Sequence, residues 1–283
     1  MIGRSRSLRP NFADMDKIAA VSNWLDLTPQ QIRCLAAEDA VAVLPLAAVE
    51  QHGEHLPLST DLDIAEGLLR AALPQLDPQR RVCVLPALAV GLSLEHTAFA
   101  GTLSLSPECA LTTVCELGDS VARAGLRRLV LFNTHGGNKA VVDMAALKLR
   151  AAHGMLVVRA NYFRFAPPED ALPAAELRHG LHGGALETAM MLHLAPHKVR
   201  CEVLANHASL GQAMDAKGNL LGPEGEAGFA WMAQDLNPHG VTGNAALADA
   251  ALGSRLVEHF AAALVRVIED AAAFDLECLS RGG

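Results

Sequence analysis

Nine consecutive apolar residues, Val41 to Val49, constrain the architecture of this chain more than any other stretch. The run is too short to span a bilayer and lacks the polar alternation of a half-exposed strand, so it fits a strand covered on both faces. Val82 to Leu85, Leu129 to Asn133 and Met155 to Arg159 repeat that character on a smaller scale, separated by longer helical stretches. Helices are predicted over residues 62–73, from an opening at Ser106-Pro107-Glu108, over about Asn138 to Ala152, and over Ala245 to Ala273. Ser106 serves there as an N-cap serine followed by proline at the first helical position. Thr60-Asp61-Leu62-Asp63 has the form of a capping box ahead of Ile64, Ala65, Leu68, Leu69 and Ala72. Gly101 to Leu105 reads as a short edge element. Strands alternating with helices predict an α/β class: a three-layer α/β/α fold with a mostly parallel central sheet. Residues 1–20 are expected to form a flexible N-terminal extension and residues 21–283 a single domain.

Composition narrows the function. Half the residues are apolar, enough for a large core, and the formal net charge of −8 comes with no basic run. That balance gives no electrostatic footprint for nucleic acid or for an anionic membrane surface. The six cysteines form no CxxC pair, which fits reduced thiols in a cytoplasm. The N-terminal MIGRSRSLRPNFADMD lacks the apolar stretch of a signal peptide, and no run approaches ~18 uninterrupted apolar residues. Gly136-Gly137 ahead of a helix lacks the longer glycine pattern and the Lys-Ser/Thr of a phosphate-binding loop.

Ligands of parallel sheets gather at the carboxyl ends of the strands, and Glu50, His52 and His135 all lie just past such ends. On an extended backbone residues i and i+2 point the same way, so Glu50 and His52 can converge on one cation or on two adjacent ones. Gly53 then lets the chain turn away, and Asp61 stands at a helix start facing the strand end. With His182-Gly183-Gly184 running to Glu187, these segments read as a dinuclear metal hydrolase site. Two divalent cations about 3.5–4 Å apart activate a water, polarise an amide carbonyl and steady the oxyanion. The mixed N/O donor set suits Zn, Mn or Fe. His182 is the titratable group best placed to protonate the leaving nitrogen. Plainer readings stand beside these: His182 as a loop histidine, Glu187 as a first-turn glutamate favoured by the helix dipole, and His55 as an orienting residue. Glu95-His96 reads equally as a solvated loop pair, a substrate-binding pocket wall or a contribution to a neighbouring subunit.

Taken in order, Glu50-Gln51-His52-Gly53-Glu54-His55-Leu56-Pro57 with Asp61, Glu95-His96 ahead of Phe99-Ala100-Gly101-Thr102, Asn133-Thr134-His135-Gly136-Gly137-Asn138, and His182-Gly183-Gly184-Ala185-Leu186-Glu187-Thr188 resemble the creatininase (creatinine amidohydrolase) family. The likeness runs from about Trp24 to about Phe274. It implies an α/β/α fold, a two-metal centre hydrolysing C–N bonds, and a homo-oligomer, often a hexamer. By that resemblance Glu50 matches a ligand of one metal, His52 and His135 match ligands of the other, and Asp61 matches the carboxylate bridging them. His182 matches a histidine assigned to proton transfer or substrate contact. Two positions depart from creatininase proper. Gly136-Gly137 replaces a Tyr-Glu pair whose glutamate binds metal, which makes Glu187 the candidate fifth ligand. Arg178 replaces a tryptophan that closes over creatinine, which argues for another substrate: a small cyclic amide, a formamide or a short peptide. The rival reading is a catalytically idle, metal-stabilised oligomeric binding protein. A third reading, phosphoester hydrolysis, wants more cationic groups than Lys139 and Arg178 supply.

Overall fold

In the computed structural model, which describes residues 18–279, the apolar runs become five strands: β1 Val21–Asn23, β2 Val41–Leu46, β3 Val82–Val84, β4 Arg128–Asn133 and β5 Leu156–Asn161. They form one sheet in the order β1-β3-β2-β4-β5, with every neighbouring pair parallel. The expected N-terminal extension lies, up to residue 17, outside the described residues. All six residues of β2 and all six of β4 are buried, as the apolar runs Val41–Leu46 and Leu129–Phe132 require. Pro45 is tolerated within β2 because its carbonyl, and so its missing N–H, faces the β3 side, where β3 has already ended; that carbonyl accepts from Leu88 N instead.

Helices α1 Pro29–Ala37, α2 Thr60–Ala72, α3 Pro107–Arg123, α4 Lys139–His153, α5 Ala174–His179, α6 Ala185–Leu194, α7 Leu210–Asp215, α8 Ala233–Leu236 and α9 Ala250–Ala273 follow in chain order. Strand alternation divides the core in two. Val41, Val43, Val130 and Phe132 pack with Ile64 and Leu68 of α2, Met190 of α6, and Leu256, Phe260, Leu264 and Ile268 of α9. Ala42, Leu44, Leu129 and Leu131 face the opposite way, onto Ile32 and Leu35 of α1, Val114 of α3, and Val142 and Leu149 of α4. Each such fully buried large side chain stabilises the fold by roughly 1.5–3 kcal/mol. Arg128 is the buried exception at the start of β4. Its guanidinium donates to Ala271 O and Phe274 O at 2.8 Å, satisfying carbonyls at the end of α9, and to Asp39 at 3.2 Å.

Three local expectations are corrected. Gly101 to Leu105 forms no strand: Leu103 N bonds Val49 O and Leu105 N bonds Gly91 O, so its hydrogen bonds go to two different loops and only an isolated antiparallel bridge results. The Thr60 capping box does not form, because the Thr60 hydroxyl donates to Pro57 O at 2.7 Å while Asp63 is taken by Ser59 and Lys198. The last helix begins at Ala250, where Asp249 accepts from Leu252 N, and Ala245–Leu247 is a separate 3-10 turn. No described helix is long and apolar enough to cross a membrane.

The strand order locates the functional end. The chain leaves β2 towards β3 on one side and leaves β4 towards β5 on the other. The crevice beyond the carboxyl ends of β2 and β4 is therefore the topological switch point, where parallel sheets leave room for a ligand.

Candidate metal centre

Each side of that crevice is tied down by backbone and side-chain hydrogen bonds. Past β2, Glu50 N bonds Leu58 O, and Gly53 adopts φ +69°, turning the chain back toward Leu56. Thr134 Oγ1, past β4, lies 2.9 Å from Asp61 O and 3.2 Å from Leu46 O, locking the start of α2 to both strand ends. Asn133 donates to His135 O and to Asn161 Oδ1, both at 2.8 Å, and its own amide oxygen accepts from His135 N. The start of α6 is capped from a distance: the Glu176 carboxylate accepts from Ala185 N and from Asn244 N at 2.8 Å. Gly180, Gly184 and Gly243 crowd around it, each so close that a Cβ would come within 2.7 Å of Glu176 Oε1.

These supports bring Glu50, His52, Asp61, His135, His182 and Glu187 together, along with His96. Glu50 Oε1 lies 3.2 Å from His135 Nδ1, 3.4 Å from His96 Nε2 and 3.6 Å from His182 Nδ1. Asp61 reaches both sides, with Oδ1 3.7 Å from His52 Nε2 and Oδ2 3.5 Å from His135 Nδ1. Glu187 Oε2 is 3.9 Å from His52 Nε2 and accepts from Gly183 N at 2.7 Å. Glu50, His52, Asp61, His96, His135 and His182 are all buried.

Three of the histidines have their outward nitrogen on a backbone carbonyl: His52 Nδ1 on Glu50 O, His135 Nε2 on Leu92 O, His182 Nε2 on Gln51 O. A carbonyl only accepts, so each outward nitrogen carries the proton in the neutral ring, and a lone pair faces inward. The lone pairs of these three neutral rings and the carboxylate oxygens therefore converge. Glu50 Oε2, His52 Nε2 and Asp61 Oδ2 are buried without any hydrogen-bond partner. Such atoms are costly unless a cation satisfies them. The separations of 3.2–3.9 Å are close to those of atoms sharing one ion through bonds of about 2.0–2.2 Å. By distance alone, ligand-type atoms fall into three overlapping groups that could hold a metal ion: Glu50, Asp61 and His135; His52, His182 and Glu187; and Glu50, His96 and His182.

Electrostatics follow the crowding. Burial alone would depress His135, but Glu50, Asp61 and Glu95 hold it up at about 10; Asp61, Glu187 and Glu50 likewise outweigh burial to hold His52 at about 9. Burial raises Asp61, helped by Glu50, and raises Glu187, helped by Asp61. Against its own burial, Glu50 is driven well below the carboxylate range by His135, His182 and His96. His96 falls to about 4 and His182 well below its usual value, first through burial and then through neighbouring imidazoles. Protons on His52 and His135 thus stand where cations would otherwise balance the carboxylates.

Several expectations change in detail. His52 and His135, expected on the same cation, fall into different groups, because Glu50 and Asp61 reach His135 while Glu187 reaches His52. His96 belongs to the cluster, whereas Glu95 is only at its margin, 3.8 Å from His135 Nε2. Glu95 Oε1 occupies the space of an added side chain at Gly137, where a Cβ would meet it at 2.5 Å. Arg178 stands outside the cluster, largely exposed and paired with Asp215 at 3.0 Å. It borders a cleft of about 180 Å³ whose other walls include Leu181, Leu220, Leu221 and Glu224. His55 holds Gly183 O and Thr188 and so steadies the His182 loop. Sequence reasoning missed Gln51, Glu176 and Tyr162, whose buried hydroxyl stands 3.5 Å from Glu187 Oε1. Gln51 alone had a local signal, since a polar residue between two ligands on an extended segment points to the opposite face.

A family model described as Creatininase, creatinine amidohydrolase, matches residues 25–268. The mycofactocin precursor peptide peptidase of Mycobacterium tuberculosis (strain CDC 1551 / Oshkosh) is 36% identical over 166 residues, 56% of this chain. The chain spans 61% of that relative's length. The creatinine amidohydrolase of Pseudomonas putida is 31% identical over 189 residues, 61% of this chain and 71% of that protein. Among solved structures, a mutant creatininase of Zn-Zn type superposes with a TM-score of 0.70 at 25% identity, covering 91% of this chain and 100% of that one. A manganese creatininase also gives 0.70, at 23% identity over 89% and 99%.

Proposed function

The chain belongs to the creatininase family, and from that membership we propose that it is a metal-dependent amidohydrolase. In this reading Glu50, Asp61 and His135 hold one divalent cation, and His52, Asp61 and Glu187 hold a second. The observation that carries it is the trio of buried, unpaired atoms Glu50 Oε2, His52 Nε2 and Asp61 Oδ2. Zinc and manganese, named for the solved relatives, suit this donor set, as does iron. When bound, such a pair polarises an amide carbonyl and lowers the pKa of an attacking water to about 7.

This chain's residues supply the rest. Asp61 and Glu50 bring the negative charge that cations require, and Gly183 N fixes Glu187. His182, anchored through Nε2 on Gln51 O at 2.6 Å, presents the Nδ1 lone pair that takes a proton from the water and returns it to the leaving nitrogen. Substrate choice falls to the surrounding walls. Arg178 and the cleft beside Leu181 favour an extended substrate over creatinine, and the peptidase relative supports a short peptide among the amide, formamide and peptide candidates. None of the six cysteines, all of them among the described residues, forms a disulfide, which supports a reducing compartment such as the cytoplasm. A homo-oligomer, as the family resemblance implies, would be tested by light scattering.

The deciding experiment combines metal analysis with hydrolysis of a panel of formamides, lactams and short peptides. Roughly two metals per chain are expected, with turnover lost on chelation and restored by zinc or manganese. A metal-loaded protein inert toward the whole panel would instead favour an idle binding protein. Turnover in fully chelated protein would overturn the metal-dependent reading.

A further inference from the structure

Of the four histidines in the cluster, His96 is oriented by a different kind of partner. The other three have outward nitrogens on carbonyl oxygens; the outward nitrogen of His96, Nδ1, meets the side-chain amide of Gln51 at 2.8 Å. That amide can be oriented only one way. Gly53 N donates to Gln51 Oε1 at 2.9 Å, so the other end is the NH₂ group, and its two hydrogens go to Gly240 O at 2.6 Å and to His96 Nδ1. Gly240, at φ +73°, allows this approach, since a Cβ there would stand 2.8 Å from Gln51 Nε2. His96 Nδ1 must therefore accept, and the proton of its ring sits on Nε2. A proton on Nδ1 would set N–H against N–H.

The inward atom of His96 is thus a donor among lone pairs. It lies 3.4 Å from Glu50 Oε1, beyond the ordinary N–H···O range of 2.7–3.2 Å. Its ring stacks 4.1 Å from that of His182, so an N–H and a proton-accepting lone pair stand side by side. We propose that His96 is a catalytic hydrogen-bond donor whose Nε2–H holds the amide carbonyl oxygen as it becomes an oxyanion, and that Gln51 is the positioning residue that makes it one. The proposal rests on the amidohydrolase reading. When the water oxygen bonds to the carbonyl carbon, the π pair moves onto the carbonyl oxygen. His96 stabilises that charge without giving up its proton. His182 takes the water's proton and passes it to nitrogen as the C–N bond breaks.

The test separates donor from ligand and from scaffold. In ¹⁵N-histidine-labelled protein loaded with ¹¹³Cd, His52 and His135 are expected to show metal–nitrogen coupling. His96 should show none and should appear as the Nε2–H tautomer, a preference lost in Gln51→Met. Coupling at His96, or an Nδ1–H tautomer in the wild type, overturns the proposal whether or not any substrate is found. For kinetics the probes are formanilide and alanine p-nitroanilide. His96→Ala should lower kcat by roughly 10²–10³-fold, the usual worth of one oxyanion donor, with KM and metal content near wild type. His96→Gln, which keeps an N–H, should recover part of that loss. Unchanged kcat in His96→Ala, or a loss confined to KM, refutes the catalytic role. Failure of the metal-loaded wild type on both probes and on the whole panel of formamides, lactams and short peptides withdraws the amidohydrolase premise and with it the catalytic half, while the tautomer result still decides the role of Gln51.

Discussion

Gly253 of α9 sits where that helix presses on α6, and replacing it with alanine links core packing to the metal centre. A Cβ at this position would stand 1.9 Å from Ala189 O and 2.9 Å from His193 Cβ. Ordinary C–H···O contacts begin near 3.3 Å, so the helices must separate by about 1.4 Å. Two effects compete. Alanine is the better helix former by about 1 kcal/mol, but overpacking costs ~1–3 kcal/mol or more. Here the obstacle is backbone, which cannot rotate away, so the upper end applies and the net loss is about 2 kcal/mol. At 2–4 °C per kcal/mol, usual for chains somewhat shorter than this, Tm of the metal-free protein should fall by roughly 4–8 °C. Ala189 follows Glu187 by two residues on the same helix. A shift of that size exceeds what bonds of about 2.0–2.2 Å tolerate, so metal analysis should also find one cation bound more weakly. Gly67→Ala is the control, because the three atoms nearest its Cβ all belong to the end of the Leu194 side chain, which can rotate where backbone cannot. A Gly253→Ala protein melting at or above wild type with full metal would refute the reasoning.

Asp61→Ala should empty both metal positions, since its two oxygens reach both sides of the centre; two metals and full turnover would contradict this. Glu187→Gln should leave about one metal per chain by titration, because an amide is the poorer ligand. His182→Ala should keep its metal while turnover drops by roughly 10²–10⁴-fold, and loss of metal would make it a ligand instead. Without metal, His135 at about 10 and His52 at about 9 lie above the unfolded value. Their stabilisation is complete below about pH 6.5 and is lost as pH rises through those values. Chelated protein should therefore melt at progressively lower temperature from neutral pH to pH 10, and equal Tm across that range would count against it.

Much of the fold was legible locally. Val41 to Val49 and Leu129 to Asn133 announced strands buried on both faces, and that burial alone demands helices above and below the sheet. Glu50 and His52 were legible as a pair because extended backbone repeats every two residues. The Ser106-Pro107 opening became a capped helix start because an N-cap needs only its own first turn, with Ser106 accepting from Cys109 N. Where a local signal failed, other partners held its groups: Pro57 O the Thr60 hydroxyl, and Ser59 together with the distant Lys198 the Asp63 carboxylate.

What only the tertiary structure decided are the relations between segments. Asp61 at the start of α2, His135 past β4 and Glu187 on α6 meet because the strand order opens a crevice between β2 and β4, and no local periodicity specifies that order. Which histidine shares which carboxylate, the Asp215 partner that takes Arg178 to the surface, and the Gln51 amide that turns His96 from acceptor to donor all depend on atoms far apart in the chain. Side-chain chemistry is written residue by residue. The direction in which a lone pair or an N–H finally points is settled by whichever carbonyl, amide or carboxylate the folded chain sets against it.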